Sequence, residues 1–122
     1  MILVDTSVWI DHLHATVGSL AEALERAEVV THPFVIGELA CGRLANRRTV
    51  LDLMSDLPQT FVATDREALR LIEIHRLYGK GLGYMDVHLL ASVLLTDRVT
   101  LWTRDKSLAS VAADLGVGIS MR

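Results

Sequence analysis

Short apolar runs alternate with longer amphipathic stretches along the chain, and this alternation predicts a series of strands and helices. Apolar runs of three to five residues bounded by turn residues are typical of buried strands, whereas apolar positions three and four apart are typical of helices. The pattern predicts strands at 2–4, 29–31, 61–63 and 99–103, with 117–121 a candidate edge strand. It predicts helices at 6–14, 19–27, 33–44, 47–57, 64–78, 86–96 and 106–115.

Local signals support several helix boundaries. Ser19 and Thr64 are each followed three residues later by Glu, which is the spacing of a capping box. Pro33 suits the first turn of a helix, and Pro58 ends the fourth predicted helix. The glycine-rich stretch 79–83 follows a predicted helix and fits neither a dinucleotide fingerprint nor a P-loop, so we expect a plain loop there.

Alternating strands and helices predict the α/β class, with a short, mainly parallel sheet and helices on both faces. Ligands in such folds bind at the carboxyl ends of the strands. Asp5 and Asp105 both follow predicted strands. We therefore expect these two carboxylates to lie at the same edge of the sheet.

Two further acidic residues occupy apolar surroundings. Glu38 lies in the middle of a predicted helix among apolar or small neighbours, and Asp86 opens the apolar run 87–95. The simplest alternative is structural, because Asp is a preferred helix N-cap and Asp5, Asp86 and Asp105 each stand near a predicted helix start. For Glu38 that alternative is an ion pair with Arg43 or Arg104.

The four acids together favour a metal site. Carboxylates about 4 Å apart repel one another by roughly 4 kcal/mol at an effective dielectric near 20, so several remain ionised together only beside a cation. Hard cations such as Mg²⁺ or Mn²⁺ prefer oxygen ligands, and a site of this kind suits phosphoryl chemistry.

Composition narrows the class of protein. The 122 residues suit one domain, 1–122, and 51% of them are hydrophobic. No apolar run reaches the length of a membrane span, the first residues lack a signal-peptide pattern, and the single cysteine allows no internal disulfide, so we expect a cytoplasmic protein. A net charge of −3 argues against a general nucleic-acid coat, although basic residues cluster locally at 43–48 and 98–106.

The chain resembles the PIN-domain ribonucleases, in particular the VapC-type toxins of bacterial toxin–antitoxin pairs. The resemblance rests on segments 4–10, 36–39, 85–92 and 101–105, which contain the four acids in order over nearly the whole chain. It implies the PIN α/β/α sandwich and a metal-dependent endoribonuclease. Water activated by Mg²⁺ or Mn²⁺ would cleave RNA, with tRNA or rRNA as the expected substrate, to leave a 5′-phosphate and a 3′-hydroxyl.

The resemblance also implies roles for individual residues. Asp5, Asp86 and Asp105 would be metal ligands, and Glu38 would complete the catalytic set as a ligand or by holding a water. The resemblance further implies a homodimer that binds a VapB-like antitoxin protein. The residues offered as substrate contacts beside the acids, with helix capping or solvent exposure as their alternatives, are Thr6, Ser7, Thr103 and Arg104.

Other functions compete with this interpretation. One is a non-catalytic RNA- or antitoxin-binding regulator of PIN-like fold. Another is an aspartyl-phosphate phosphatase, which would need an acid two residues after Asp5, where the chain has Ser7. A third is a purely structural ion-pair cluster.

Overall fold

The fold is built from short strands and longer helices, and a computed structural model describes residues 1–119 of the chain. Within that range the strands are β1 (Ile2–Val4), β2 (Val29–Val30) and β3 (Thr100–Trp102). The helices are α1 (Thr6–His14), α2 (Gly18–Glu25), α3 (Pro33–Cys41), α4 (Arg47–Asp56), α5 (Asp65–His75), α6 (Tyr84–Leu95) and α7 (Lys106–Asp114).

The sheet is parallel and its strand order is β2-β1-β3. Ile2 pairs with Val29 on one side and with Thr100 on the other, and Val4 pairs with Trp102. This confirms the predicted α/β class with a short parallel sheet. The register also brings the residues that follow β1 and β3 to one edge.

The core forms around the sheet and helix α6. The three residues of β1 are buried, and Leu101 and Trp102 of β3 are buried beside them. Helix α6 is buried at every position from 87 to 93. A helix that is apolar on all sides lies inside a protein, which explains why a long apolar run forms a helix here rather than a strand.

The strand predicted at 61–63 is wrong. Phe61 and Val62 are exposed, and the backbone N–H groups of Phe61 and Ala63 donate to the hydroxyls of Thr96, the C-cap of α6, and of Ser92 within α6. These side-chain acceptors take the place of a neighbouring strand. Residues 61–63 therefore form no strand.

Several predicted boundaries also shift. Helix α2 begins at Gly18, with Val17 as its N-cap, so Ser19 lies inside the helix and the predicted capping box at its start is wrong. The box at Thr64 is confirmed, since Thr64 and Glu67 exchange both hydrogen bonds. Helix α3 ends at Cys41 rather than at position 44, and that cysteine is exposed.

The predicted edge strand 117–121 is partly described. The N–H of Leu101 donates to the carbonyl of Val117, and the N–H of Ile119 donates to the carbonyl of Leu101. Gly118 forms a parallel bridge with Leu101. The chain thus returns beside β3, while residues 120–121 of the prediction lie outside the described residues. Across 1–119, no helix is both long and apolar enough to cross a membrane.

Candidate active site

Asp5 is buried at the carboxyl end of the central strand, and hydroxyl groups hold its side chain. Its Oδ2 accepts hydrogen bonds from Ser7 Oγ at 2.8 Å and from Thr103 Oγ1 at 2.7 Å. These bonds join the two strand ends, because Thr103 follows β3 and Ser7 lies in the first turn of α1. Asp5 occupies the N-cap position of α1 but makes no side-chain capping bond, so capping does not explain its carboxylate.

The same hydroxyls also organise the loop after β3. The N–H of Arg104 donates to Ser7 Oγ at 3.0 Å, and the N–H of Asp105 donates to Thr103 Oγ1 at 3.1 Å. The hydroxyls therefore tie the backbone around Asp105 to the side chain of Asp5. This is a fixed polar frame at the edge of the sheet.

Glu38 reaches this edge from helix α3. Thr6 Oγ1 donates to Glu38 Oε1 at 3.0 Å, and within residues 1–119 neither Arg43 nor Arg104 forms an ion pair with it. Glu38 is exposed overall, although part of its carboxyl group is shielded from solvent. Burial of its carboxyl group nevertheless raises the pKa of Glu38 above its usual value. The bond from Thr6 opposes that pKa rise.

Asp86 lies in the first turn of α6, two residues inside the helix rather than at its start. Its Oδ2 accepts the N–H of Gly83 at 3.0 Å, which anchors the end of the glycine-rich loop. Burial raises the pKa of the Asp86 carboxyl, and the bond from Gly83 opposes the rise. The structural and the chemical interpretations are compatible here, because one oxygen makes the capping bond.

Asp105 is exposed and caps α7. Its Oδ1 accepts the N–H of Leu108 at 2.9 Å. The sequence-based alternative of a helix cap is thus correct for one of its oxygens. Oδ2 takes no part in that bond.

The four carboxylates are close enough to influence one another. The negative charges of Asp5 and Asp86 each add to the raised pKa of Glu38. Those of Asp5 and Asp105 likewise add to the raised pKa of Asp86. Residues separated by up to 100 positions in the sequence therefore share one electrostatic environment.

The donor types fit a hard divalent cation, which prefers carboxylate oxygens. The four carboxylates form no ion pair with any cationic side chain within residues 1–119. Over the same residues, no three His, Cys, Asp or Glu side chains are already arranged to hold a metal ion. A cation would therefore have to draw the carboxylates together.

The side chain of Arg104 is engaged outside the carboxylate site, although Arg104 lies between Thr103 and Asp105 in the sequence. Its Nε lies 2.8 Å from Asp11 Oδ2 on α1, and both side chains are exposed. Its backbone contributes to the site through Ser7, whereas its guanidinium is engaged elsewhere.

A polar cluster beside α6 was missed by the sequence analysis. Asp65 Oδ1 accepts the hydroxyl of Tyr84 at 2.7 Å and lies 2.9 Å from His88 Nε2. The bond from Tyr84, and then that from His88, hold the pKa of Asp65 below its usual value. The available signal was the spacing of Tyr84 and His88, one helical turn apart on α6. The cluster ties the start of α5 to the turn that contains Asp86.

Two comparisons with known proteins found matches over most of the chain. The family model described as the PIN domain matches residues 2–114. The chain is 50% identical over 120 residues to a protein named Ribonuclease VapC32 from Mycobacterium tuberculosis strain CDC 1551 / Oshkosh, covering 98% of this chain and 97% of that protein. The Ribonuclease VapC32 of strain H37Rv matches to the same extent.

Proposed function

The chain belongs to the PIN-domain family, and we propose that it is a VapC-type toxin that cleaves RNA as a metal-dependent endoribonuclease. The catalytic set in this proposal is Asp5, Glu38, Asp86 and Asp105. The alternative is a non-catalytic regulator of the same fold that binds RNA or an antitoxin.

One observation carries the proposal. Four carboxylates, from the end of β1, from α3, from α6 and from the start of α7, lie close enough that their negative charges add to the raised pKa values of Glu38 and Asp86, and none of them is paired with a cationic side chain in residues 1–119. A purely structural cluster would be expected to pair its charges, because uncompensated carboxylates destabilise the fold. The arrangement is therefore better suited to holding a ligand than to stabilising the chain.

The protein's own groups divide the work. Asp5, Asp86 and Asp105 would hold Mg²⁺ or Mn²⁺, with Glu38 completing the set. A divalent cation bound there polarises the phosphate and lowers the pKa of water. The hydroxyls of Ser7 and Thr103 orient Asp5.

The remaining substrate contacts are secondary. Thr6 orients Glu38 through its hydroxyl. Arg104 would reach a phosphate only by leaving Asp11. A folded tRNA or rRNA is the proposed substrate, since such RNA presents its sequence in single-stranded loops. A cytoplasmic location belongs to the same proposal, because these RNAs are found there.

Cleavage of total cellular RNA tests the proposal. Purified protein would be incubated with Mg²⁺ or Mn²⁺, with EDTA in a parallel reaction. Asp5→Asn removes one carboxylate of the set, and Asp52→Asn makes the same change on the exposed surface of α4. We expect discrete fragments from the wild type and Asp52→Asn, and none with EDTA or from Asp5→Asn.

The ends of the fragments give a second readout. A 5′-phosphate and a 3′-hydroxyl would agree with metal-assisted hydrolysis, and mapping the ends would identify the RNA. Intact RNA from folded, antitoxin-free protein, together with tight RNA binding, would favour the non-catalytic alternative. Fragments that persist in EDTA and in Asp5→Asn would exclude the proposed site.

Exposed apolar surfaces support the proposed partners, an antitoxin and a second copy of the chain. One surface lies between α1 and α4 and contains the exposed side chains of Ile10, Leu13 and Leu53. Another lies along α5 and α6 and contains Ile74 and Leu95. Two separate surfaces can serve two partners.

Charge insertion distinguishes the two partners. Leu53→Glu and Leu95→Glu change one surface each. We expect one variant to lose antitoxin co-purification and the other to lose the dimer in sedimentation. If both variants keep both properties, these surfaces are not the interfaces.

A further inference from the structure

Both lysines of the chain line the same cleft. The sequence contains two lysines, Lys80 in the glycine-rich loop and Lys106 at the start of α7. They face a cavity of about 400 Å³ that is also lined by Ser107, Ser110 and Asp114. All ten other basic residues, apart from histidine, are arginines.

The two ammonium groups carry uncompensated charge. Both lysines are exposed, and in the part of the chain that the structure describes neither forms an ion pair. Asp114 lines the cleft eight positions after Lys106, about two turns along α7. The end of the cleft at Lys106 and Ser107 is therefore the cationic end.

The glycine-rich loop approaches α7 closely at Gly81. Gly81 has φ +80°, and a Cβ there would lie 3.0 Å from Ser107 Oγ. A larger residue would be strained in this conformation and would crowd the Ser107 hydroxyl. The close approach of Gly81 to Ser107 places the loop that contains Lys80 beside the start of α7.

This cleft adjoins the carboxylate site at two points. Lys106 follows Asp105 directly, and the loop that contains Lys80 ends at Gly83, whose N–H is bound by Asp86. A polyanion bound at the carboxylates would therefore continue past the lysines. The bound polyanion would meet the two lysines just beyond the four carboxylates.

We propose that this lysine cleft, formed by Lys80, Lys106, Ser107 and Ser110, binds a backbone phosphate of RNA beside the one that is cleaved. The proposal rests on the proposed function. Lysine binds phosphate as a point charge, and the serine hydroxyls can donate further hydrogen bonds. Such contacts position an RNA without reading its sequence. In a chain of net charge −3, local cationic groups have to supply this attraction.

The test compares Lys80→Gln, Lys106→Gln and the double variant with Arg26→Gln. Arg26 is an exposed cation at the end of α2, just before β2 begins and so at the opposite edge of the sheet. The control removes the same charge but leaves the cleft intact. Lys106→Gln also keeps the Asp105 cap of α7 in place.

Binding is measured first, with a fluorescent single-stranded oligouridylate over a range of salt concentrations, in an Asp5→Asn background that prevents turnover. Each phosphate contact on a single strand contributes about 0.7 to the slope of log K against log salt. We expect each lysine variant to reduce that slope by about 0.7 and to weaken binding roughly 1.4- to fivefold, the range for an exposed ion pair. Arg26→Gln should change neither.

Cleavage kinetics provide the second readout, on the RNA identified from the total pool. Loss of a positioning contact should raise KM by a similar factor and leave kcat unchanged, because the catalytic carboxylates are intact. Unlike Lys106→Gln, Lys106→Arg should retain most of the affinity, since it keeps the positive charge.

The outcomes separate this inference from the proposed function. Lysine variants that keep the wild-type slope and KM overturn the cleft and leave the nuclease standing. A protein that never cleaves RNA but shows the lysine-dependent slope refutes the nuclease and keeps the cleft. Lysine variants that bind RNA normally but escape inhibition by the antitoxin would show that the cleft contacts a protein partner. That result would overturn the proposal that the cleft binds an RNA phosphate.

Discussion

Replacing Asp5 by Asn distinguishes a ligand site from a structural cluster through its effect on stability. In the wild type, Oδ2 accepts two hydroxyl hydrogen bonds, at 2.8 and 2.7 Å. The amide oxygen of Asn accepts the same bonds as a neutral group. A bond to a charged group contributes about 1.5–3 kcal/mol and a neutral one about 0.5–1.5 kcal/mol, so the two bonds together lose about 2 kcal/mol.

Relief of repulsion opposes this loss. The charge of Asp5 acts on both Glu38 and Asp86. Two like charges about 8 Å apart repel by roughly 0.5 kcal/mol in water and roughly 2 kcal/mol at an effective dielectric near 20. Removing the charge of Asp5 abolishes two such repulsions and so stabilises the folded state by about 1–4 kcal/mol. The net change without a cation is therefore between a loss of about 1 and a gain of about 2 kcal/mol.

Urea unfolding in EDTA and in Mn²⁺ measures the effect. In EDTA we expect the free energy of unfolding of Asp5→Asn to lie in that range. At 100 times its Kd, Mn²⁺ should stabilise the wild type by about 2.7 kcal/mol and stabilise Asp5→Asn much less. The control Asp52→Asn should behave as the wild type in both conditions. A loss above about 3 kcal/mol in EDTA with no Mn²⁺ effect on the wild type would refute the ligand-site reasoning and identify a structural network.

Three further predictions concern the same framework. Thr103→Val removes the hydroxyl bond to Asp5 and should lower the free energy of unfolding by about 2 kcal/mol, measured with urea. Burial lowers the pKa of His32 to about 4, so the unfolded chain takes up the proton first as the pH falls. Stability should therefore drop by about 3 kcal/mol between pH 6.5 and 4, as urea titrations at each pH would show. Glu38 and Asp86 should change stability in the opposite direction, because their raised pKa values mean that the folded state binds these protons more tightly than the unfolded chain. Without a cation, their contribution to stability is therefore present at low pH and is lost as the pH rises through the raised pKa values.

Matched variants isolate each contribution. Thr100→Val, at a half-buried position of β3, makes the same chemical change away from the carboxylates. His32→Gln should flatten the pH dependence between 6.5 and 4, whereas His75→Gln, at an exposed position, should leave it unchanged. Glu38→Gln and Asp86→Asn should each reduce the loss of stability at rising pH. If Thr103→Val is as stable as wild type, the bond from Thr103 to Asp5 does not stabilise the fold. If His32→Gln keeps the full pH dependence, the titration of His32 is not its cause.

The local part of the structure was readable from the sequence. The strands β1 and β3, the helices that follow them and the capping box at Thr64 were predicted nearly to the residue, because each depends on neighbours within a few positions. The acids after β1 and β3 were correctly expected at one edge, since parallel strands end on the same side. The single-domain organisation and the catalytic roles stay predictions.

Errors arose where a distant group supplied the hydrogen bonds. Phe61 to Ala63 has the composition of a strand, yet its backbone bonds to hydroxyls of α6 and its C-cap residue. The contact of Asp65 with His88 joins residues 23 positions apart, and local spacing could show only the Tyr84–His88 half of it. No pattern in the sequence showed that Lys80 and Lys106 line one cleft.

The sequence alone determined which residues carry charge and where strands and helices begin, because backbone propensity and capping act over a few residues. Tertiary structure alone decided which oxygen of each acid is engaged. One oxygen of Asp105 caps α7, one oxygen of Asp86 accepts the N–H of Gly83, and one oxygen of Asp5 accepts two hydroxyl hydrogen bonds. It also decided that Glu38 meets a threonine rather than an arginine. The physical reason is that hydrogen bonds and charge interactions act over a few ångströms in space, and folding sets those distances independently of separation along the chain.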